Sequence, residues 1–228
     1  MNISNTENAV LMQQAREDLK NKWGPAIGVA AILIVFNVLS EIPIFGFFIF
    51  LLVIPNLYVG AGIFFLSISR NKEANLNQLF ESFQDSRFGT AIGAYILMIL
   101  CIILGFICLI IPGIILCYAF SMTFWILAED KQIGPHDALK KSYNMMKGNK
   151  WKYFCLTCRF IGWGILSIFT FGIGFLWLTP YYHVSNGKFY DDIIKNDLNE
   201  IKEDLDELKT SLEDLKGEKN KEDDSIEE

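Results

Sequence analysis

Residues 88–128 read FGTAIGAYILMILCIILGFICLIIPGIILCYAFSMTFWILA, which is 41 consecutive residues without a formal charge. A helix crosses the hydrocarbon core of a bilayer with about 20 apolar residues, so this stretch is long enough for two crossings. Pro112 and Gly113 lie near its middle and predict the break between them. Two further uncharged stretches cover residues 42–69 and 160–182. The sequence therefore predicts an all-α membrane protein, because a spanning helix bonds its backbone polar groups internally.

A pattern that occurs three times predicts how the helices are ordered. A cation and an aromatic residue open each hydrophobic stretch, in NKW at residues 21–23, SRF at 86–88 and NKW at 149–151. An amphipathic segment with apolar residues at helical spacing precedes each of them. The unit predicts an interfacial helix, a basic-aromatic anchor, a span, an uncharged turn and a second span. Three such hairpins give about six transmembrane helices, at approximately residues 23–44, 47–68, 89–111, 113–128, 152–169 and 171–184.

The last hydrophobic stretch leaves the number of spans open. Residues 151–182 form either one long tilted helix or two short helices that turn at residues 170–172, so that the chain has five or six spans. The threefold pattern favours six. We therefore expect a membrane domain over residues 1–190.

The positions of Lys and Arg predict the orientation in the membrane. All 15 of those in residues 1–195 lie in four segments, residues 16–22, 70–87, 131–159 and 188–195. None lies in the predicted turns near Glu41, Pro112 and Phe171. Cytoplasmic loops retain Lys and Arg, so the N-terminus and the long loops are predicted to be cytoplasmic. With six spans, the C-terminal tail is cytoplasmic as well.

The residues around the predicted helix starts are candidate anchors at the membrane interface. An aromatic ring beside a cation sits at the level of the lipid headgroups. The lysines of residues 134–152 flank an apolar stripe, and such a helix attracts anionic lipid. The alternative is that these charges only set the topology. The candidate anchors are Lys22, Trp23, Arg87, Phe88, Lys140, Lys141, Lys147, Lys150, Trp151 and Lys152.

Two glycine pairs, Gly24 with Gly28 and Gly89 with Gly93, have the G-x-x-x-G spacing of closely packed membrane helices. This spacing leaves a smooth helix face that another backbone can approach. The alternative is that glycine is simply common in membrane helices.

The C-terminal tail differs from the rest of the chain in charge and in pattern. Residues 196–228 hold 14 Asp/Glu and 5 Lys/Arg, whereas residues 1–195 hold 12 acids and 15 bases. The apolar residues Leu198, Ile201, Leu205, Leu208, Leu212 and Leu215 are spaced for a coiled coil.

In a parallel pair of tails, Asp197 would face Lys202 and Asp204 would face Lys209. We therefore expect residues 191–216 to form a cytoplasmic amphipathic helix that pairs with a second copy or with a partner helix. The alternative is that this helix docks on the cytoplasmic helices of its own chain. Residues 217–228 are predicted to be disordered.

Candidate chemistry is sparse, and we expect no catalytic, cofactor-binding or metal site. Cys155 and Cys158 form a C-x-x-C inside a hydrophobic helix, where inert thiols are the favoured interpretation. His136 and His183 lie on different segments, so we do not expect the four clustered ligands that a zinc site needs. Arg159 is at membrane depth, where it either snorkels to the interface or serves as a buried functional cation.

Several strings of the sequence resemble a family known as domain of unknown function 975 (DUF975). They are KNKWGPAIG at residues 20–28, ILAED at 126–130, ALKKS at 138–142, MKGNKW at 146–151, FIGW at 160–163 and GIGFLWL at 172–178. The resemblance covers about residues 15–190. It implies an integral protein of a bacterial cell (plasma) membrane, mainly in Gram-positive bacteria, with no established activity. Arg159 departs from the usual pattern of the family, and the tail lies beyond the resemblance.

Three functions fit these expectations unequally. The first is a non-catalytic multi-pass membrane protein that serves envelope maintenance or tolerance to membrane-active peptides. The alternative is a transporter or channel component, against which the lack of a charged pathway argues. An intramembrane enzyme is disfavoured because no acid/base pair lies within the spans. Nothing in the sequence points to nucleic acid as a partner.

Overall fold

The structure is a computed structural model that describes the backbone of residues 3–84 and 86–226, and side chains as far as residue 210 apart from residue 85. The helices comprise 81% of the chain, and the described residues contain no strand, which confirms the prediction of an all-α protein. A π-helical segment, Ile49–Val53, joins α3 to α4, and a 3-10 segment, Leu76–Phe80, precedes α5. The α-helices are α1 (Asn8–Asp18), α2 (Trp23–Leu39), α3 (Phe45–Phe48), α4 (Ile54–Ser69), α5 (Glu81–Gln84), α6 (Arg87–Cys108), α7 (Ile110–Ala119), α8 (Thr123–Glu129), α9 (Pro135–Met145), α10 (Lys150–Phe169) and α11 (Phe175–Ile226).

Four helical stretches in the described chain are long and apolar enough to cross a membrane. They are Phe45–Ser69, Arg87–Cys108, Ile110–Glu129 and Lys150–Phe169. A fifth is added if α1 and α2, which are bent by 107° at their junction, count as one span. By itself α2 has 17 residues, or about 25 Å at the rise of an α-helix.

The threefold sequence pattern corresponds to a threefold order of elements. Each unit has one or two short helical segments, a long helix, a turn and a second long helical stretch. In the first unit these are α1, α2 and α3–α4. In the second unit they are the 3-10 segment with α5, then α6, then α7–α8. The third unit comprises α9, α10 and α11.

The break in the 41-residue stretch lies at Leu109 and not at the predicted Pro112-Gly113. Leu109 has an extended backbone (φ −169°, ψ 157°) between α6 and α7. Pro112 instead sits in the first turn of α7, where an N–H group would lack a helical partner and a proline is tolerated. The proline therefore marks the start of the second helix. The two backbones approach closely beyond the turn, since a Cβ built on Gly105 would lie 3.1 Å from the Cα atom of Gly113.

The core is built around α4. Of its 16 residues 13 are buried, including the fully buried Phe64 and Phe65. It packs against α2, α6, α8, α11 and the 3-10 segment. By contrast, α10 buries only four of its 20 residues. The most hydrophobic faces of the outer helices are thus left on the surface of the bundle.

The last helix extends beyond the bundle. It continues as far as Ile226 and so includes most of residues 217–228, which the sequence predicts to be disordered. Glu and Lys, which dominate this part of the sequence, are good helix formers. Glu227 and Glu228 lie outside the described residues.

A glycine in α4 sets how closely the 3-10 segment can approach. A Cβ built on Gly60 would overlap the carbonyl group of Leu79, whereas one built on Gly89 would have no neighbour within 4 Å. We expect Gly60→Ala to lower the free energy of unfolding in detergent micelles by about 1–3 kcal/mol, because one of the two backbones must move.

The matched control is Gly89→Ala, which adds the same methyl group in open space. It should leave the free energy of unfolding unchanged or raise it by up to about 1 kcal/mol, since alanine is the better helix former. Equal effects of the two substitutions would show that the contact of Gly60 with Leu79 is unimportant.

Candidate functional site

The starts of α2 and α6 lie beside the ends of α4 and α8 at one end of the bundle, which we call the charged end. Lys22 before α2 donates to the carbonyl of Lys72 after α4, at 3.3 Å. Arg87 at the start of α6 donates to the carbonyl of Ala128 at the end of α8, at 3.2 Å. The long helices of each of these two units are therefore antiparallel, and their uncharged turns lie at the opposite end.

An arginine joins three helices at the charged end. Arg70, directly after α4, donates from Nη2 to Asp191 Oδ1 of α11 at 2.7 Å and to Glu129 Oε1 of α8 at 2.8 Å. Its Nε donates to the same Asp191 oxygen at 3.0 Å. The hydroxyl of Ser69 completes the contacts of Asp191, at 3.0 Å. We call Ser69, Arg70, Glu129, Tyr190 and Asp191 the arginine cluster.

Tyr190 serves as a hydrogen-bond donor in this cluster. Its hydroxyl donates to Glu129 Oε2 at 2.7 Å. Burial raises the pKa of Tyr190, and the hydrogen bond to the Glu129 carboxylate raises it further. The phenol therefore stays protonated at neutral pH and gives Glu129 a second partner besides Arg70.

A second polar cluster fixes the N-terminal segment. The Asp192 carboxylate accepts hydrogen bonds from the hydroxyls of Ser4 and Thr6 and from the Thr6 N–H. Lys152 Nζ donates to the Ser4 carbonyl at 2.8 Å and lies 3.9 Å from Asp192. Asn149 accepts from the Ser4 N–H at 2.8 Å. We call Ser4, Thr6, Asn149, Lys152 and Asp192 the N-terminal clasp.

The contacts of the two clusters hold helix ends together. Their carboxylates are paired with cations or with hydroxyl donors. Among the described residues, no group of three His, Cys, Asp or Glu side chains could hold a metal ion. Lys188 strengthens the same region through Asp18 at 2.5 Å, and so joins α11 to α1.

Two of the predicted interfacial anchors point into the protein. Arg87 is buried against the end of α8, and Lys152 belongs to the N-terminal clasp. The other predicted cations lie at the surface or partly buried, and Lys147 and Lys150 lie over the ring of Tyr143. Of the predicted aromatic anchors, Trp151 and Phe88 are exposed, whereas Trp23 is partly buried.

The two G-x-x-x-G pairs do not bring helix backbones together within this chain. Gly24 and Gly89 have open space where a side chain would be. Gly28 faces the side chain of Leu76, and Gly93 faces Pro135. The close backbone approach in α4 is instead at Gly60, for which the sequence offers no spacing signal.

The coiled-coil residues of the tail are exposed as far as the side chains are described. These are Leu198, Ile201, Leu205 and Leu208, whereas the side chains of Leu212 and Leu215 lie outside the described part. The first four therefore do not dock on other helices of their own chain.

Sequence reasoning missed both polar clusters as sites. Arg70 and Asp191 are 121 residues apart, and each looks like an ordinary charge at the end of a helix. The one available signal is Glu129, the fourth residue of the ILAED string at residues 126–130. An acid directly after a buried helix face needs a partner, and that requirement could have prompted a search for one.

The N-terminal clasp predicts a dependence on pH. Burial opposes ionisation of Asp192, but the hydrogen bonds from Ser4 and Thr6 and the charge of Lys152 outweigh it and lower its pKa below the ordinary 3.8. A lowered carboxyl pKa stabilises the folded state fully above about pH 4, and this stabilisation is lost as the pH falls through the lowered value.

We therefore expect hydrogen exchange at residues 3–8 to be slow at pH 6 and to accelerate below about pH 4, after correction for the intrinsic rate. Asp192→Asn should give fast exchange at both pH values. The control is Asp137→Asn, an exposed acid that should leave the profile unchanged. A native chain with the same corrected protection at pH 3 and pH 6 would contradict the role of the Asp192 charge.

Comparison with known proteins identifies a similar family but no function for it. No curated protein and no solved structure matches this chain. Residues 96–197 match the family described as "Protein of unknown function (DUF975)". The matched segment contains Glu129, Lys152, Tyr190, Asp191 and Asp192, and so most of the charged groups of both clusters. The resemblance found in the sequence is confirmed over residues 96–197, where this chain is similar to the DUF975 family.

Proposed function

We propose that the chain is an integral protein of the bacterial cell membrane that crosses the bilayer six times, in three hairpins, with its charged end in the cytoplasm. The observation that carries the proposal is the apolar surface of the uncharged turns. Ile44 is 83% exposed, Phe171 is 99% exposed, and Ile110 and Ile111 are exposed as well. Exposed apolar patches of this kind are rare on proteins in water and ordinary in contact with lipid.

The charges support the same orientation. The three uncharged turns carry no Lys or Arg, whereas the opposite end holds Arg70, Lys152 and Lys188 in paired contacts. The short helices α1 and α9 lie at that charged end, which is where interfacial helices would meet the headgroups. Lys140 and Lys141 of α9 are exposed there and are suited to contact anionic lipid.

A cysteine-labelling experiment tests the number of spans and the orientation. In intact cells, a membrane-impermeant maleimide should label Phe171→Cys, because its turn would face the outside. Lys141→Cys and Glu207→Cys should be labelled only after permeabilisation, since both would be cytoplasmic. The unsubstituted chain, with its five native cysteines, gives the background.

Two outcomes would contradict the proposal in different ways. Labelling of Glu207→Cys together with protection of Phe171→Cys in intact cells would mean five spans. Recovery of the native chain in a detergent-free soluble fraction would remove the membrane location altogether.

We propose further that the protein acts without catalysis, in envelope maintenance or in tolerance to membrane-active peptides. The polar groups at the charged end are tied to each other by the contacts of the arginine cluster and the N-terminal clasp, including Thr6, Asp191 and Asp192, which line a cavity of about 540 Å³ there. Such an arrangement favours a protein that stabilises or reshapes the membrane around it. The apolar outer faces of α6 and α10 provide the contact with lipid.

One cavity favours the alternative of a transporter or channel component. It has a volume of about 390 Å³ and lies between α2, α4 and α11. Asn37, Tyr58 and His183 line it among apolar residues, and Glu41 lines it from the turn after α2. Polar groups around a cavity at membrane depth are typical of a substrate pathway.

Deletion and flux experiments separate the two functions. We expect a deletion strain to become more sensitive to membrane-active peptides or detergents, and vesicles that contain the purified chain to show no solute flux beyond that of empty vesicles. A plasmid copy should restore tolerance. Flux that depends on the chain and is reduced by His183→Ala would contradict the non-catalytic proposal and support the alternative.

The tail is proposed to pair with a second copy as a parallel coiled coil. Exposed apolar residues at coiled-coil spacing favour pairing over docking on the same chain. The tails of two molecules in one membrane emerge from the same face, so that a parallel arrangement is the one available to them. It would bring Asp204 of one chain to Lys209 of the other.

Cross-linking tests this pairing with a matched control. Leu205→Cys places a thiol in the seam, and it should give a disulfide dimer in the membrane under mild oxidation. Glu203→Cys places it on the outer face of the same helix turn, and it should give little dimer. Equal cross-linking of the two would indicate random collision, and a monomer in both would contradict self-association.

A further inference from the structure

We propose that a groove between α10, the start of α11 and the α1–α2 junction binds one anionic phospholipid, with its phosphate headgroup at Arg16, Lys20 and Arg159 and an acyl chain along Trp163 and Trp177. The inference rests on the membrane location proposed above. It assigns a specific lipid site, on residues different from the lysines of α9.

The groove has two parts that join. The apolar part has a volume of about 370 Å³ and is lined mainly by tryptophans and leucines, among them Trp23, Trp163 and Trp177. The polar part has a volume of about 720 Å³ and lies where α1 passes α10. Arg16, Trp163 and Tyr181 line both parts. The combined shape, apolar at one end and polar at the other, fits an amphiphile.

The polar part is positively charged. It is lined by three cations, Arg16, Lys20 and Arg159, and by a single acid, Glu17, which accepts a hydrogen bond from Gln13 at 3.1 Å. Arg16 lies over the ring of Tyr181, 5.7 Å from its centre. In the described part of the chain, Lys20 and Arg159 make no ion pair. The excess of positive charge selects an anionic headgroup.

The direction of the groove matches a lipid of the inner leaflet. Along α10 and the turn that follows it, the residues that line the groove extend from Arg159 to Thr170. These two residues are about 16 Å apart along the helix. The cations lie towards the charged end, and the apolar walls continue towards the uncharged turn. A headgroup at the cytoplasmic interface would thus direct its chain into the hydrocarbon core.

The open side of the groove indicates what covers it. Trp163 is 53% exposed and Trp177 is 50% exposed, so that the protein does not close the groove itself. Within a bilayer, acyl chains are what would lie against these rings. Arg159 lines the polar part of the groove. The site therefore gives this cation a role, which is to bind the phosphate headgroup.

Fluorescence quenching by brominated lipids tests the site on the full-length chain. Three of the five tryptophans line the groove, so that brominated acyl chains bound there quench the emission. In mixed micelles, brominated phosphatidylglycerol should reach half-maximal quenching at a lower mole fraction than brominated phosphatidylcholine. Arg159→Gln should reduce this preference about fivefold, the loss expected for one cation near the headgroups.

Two matched controls separate the site from general effects. Lys72→Gln removes an exposed cation outside the groove and should keep the preference. Leu166→Gln in the groove should weaken quenching by both lipids, whereas Leu104→Gln, an exposed leucine of α6, should not.

Several results would overturn the proposal. Equal mole fractions for the two lipids with the native chain would remove the anionic selectivity, and an equal loss in Lys72→Gln and Arg159→Gln would reduce it to surface charge. Displacement by inorganic phosphate would show a site for a small anion. A dimer whose tryptophans neither lipid quenches would mean that a second copy covers the groove. Because the assay uses micelles, it can fail while the labelling experiment succeeds, and the reverse.

Discussion

The charged residues of this chain lie at the ends of its long uncharged stretches, and this constraint determines how the helices are arranged. A stretch of 41 uncharged residues must fold back on itself if both of its charged ends are to meet the same surroundings. The turn at Leu109 provides the reversal, and Arg87 then lies beside the end of α8. In the first unit the same reversal brings Lys22 beside the end of α4. The charges at this end that are partly removed from solvent, such as Asp191 and Asp192, pair with cations or hydroxyl donors.

Arg70 illustrates how this pairing fixes the helices relative to each other. Its guanidinium presents several donors in a rigid plane, so that it can bind Asp191 and Glu129 at once where a lysine would hold one of them well. Contact with these partners sets the distances between the end of α4, the end of α8 and α11. Both carboxylates have a further donor, Ser69 or Tyr190, and therefore depend less on Arg70 alone. The fold thus concentrates its directional contacts at one end and leaves the other to apolar packing.

The parts of this architecture that the sequence predicts are those set by composition. Trp23, Arg87 and Lys150 each begin a helix, as expected where a charged segment meets an apolar one. The position of the break at Leu109 was not predicted, because Pro112 is compatible with either end of a turn. The inward direction of Arg87 and Lys152 depends on which helix lies beside them, and that contact is between residues far apart in the chain. The arginine cluster and the lipid groove could not be predicted for the same reason: each joins side chains from three or more elements.

The last helix, α11, connects the groove, the arginine cluster and the tail. Trp177 lines the groove, Asp191 binds Arg70, and Leu205 lies on the exposed face of the tail, all on α11. Leu205 lies 28 positions beyond Trp177, which corresponds to about 42 Å of helix. Pro180 removes one backbone hydrogen bond near the groove, so that bending would concentrate there and not in the tail. A tilt of the part of the helix after Pro180 would have to break the contacts of Asp191 and Asp192, whereas a tilt of the part before it would move Trp177 and Leu178 of the groove without breaking them. The two polar clusters therefore separate motion at the proposed lipid site from the orientation of the tail, and a tail that pairs with a second copy would keep its direction whether or not the groove is filled.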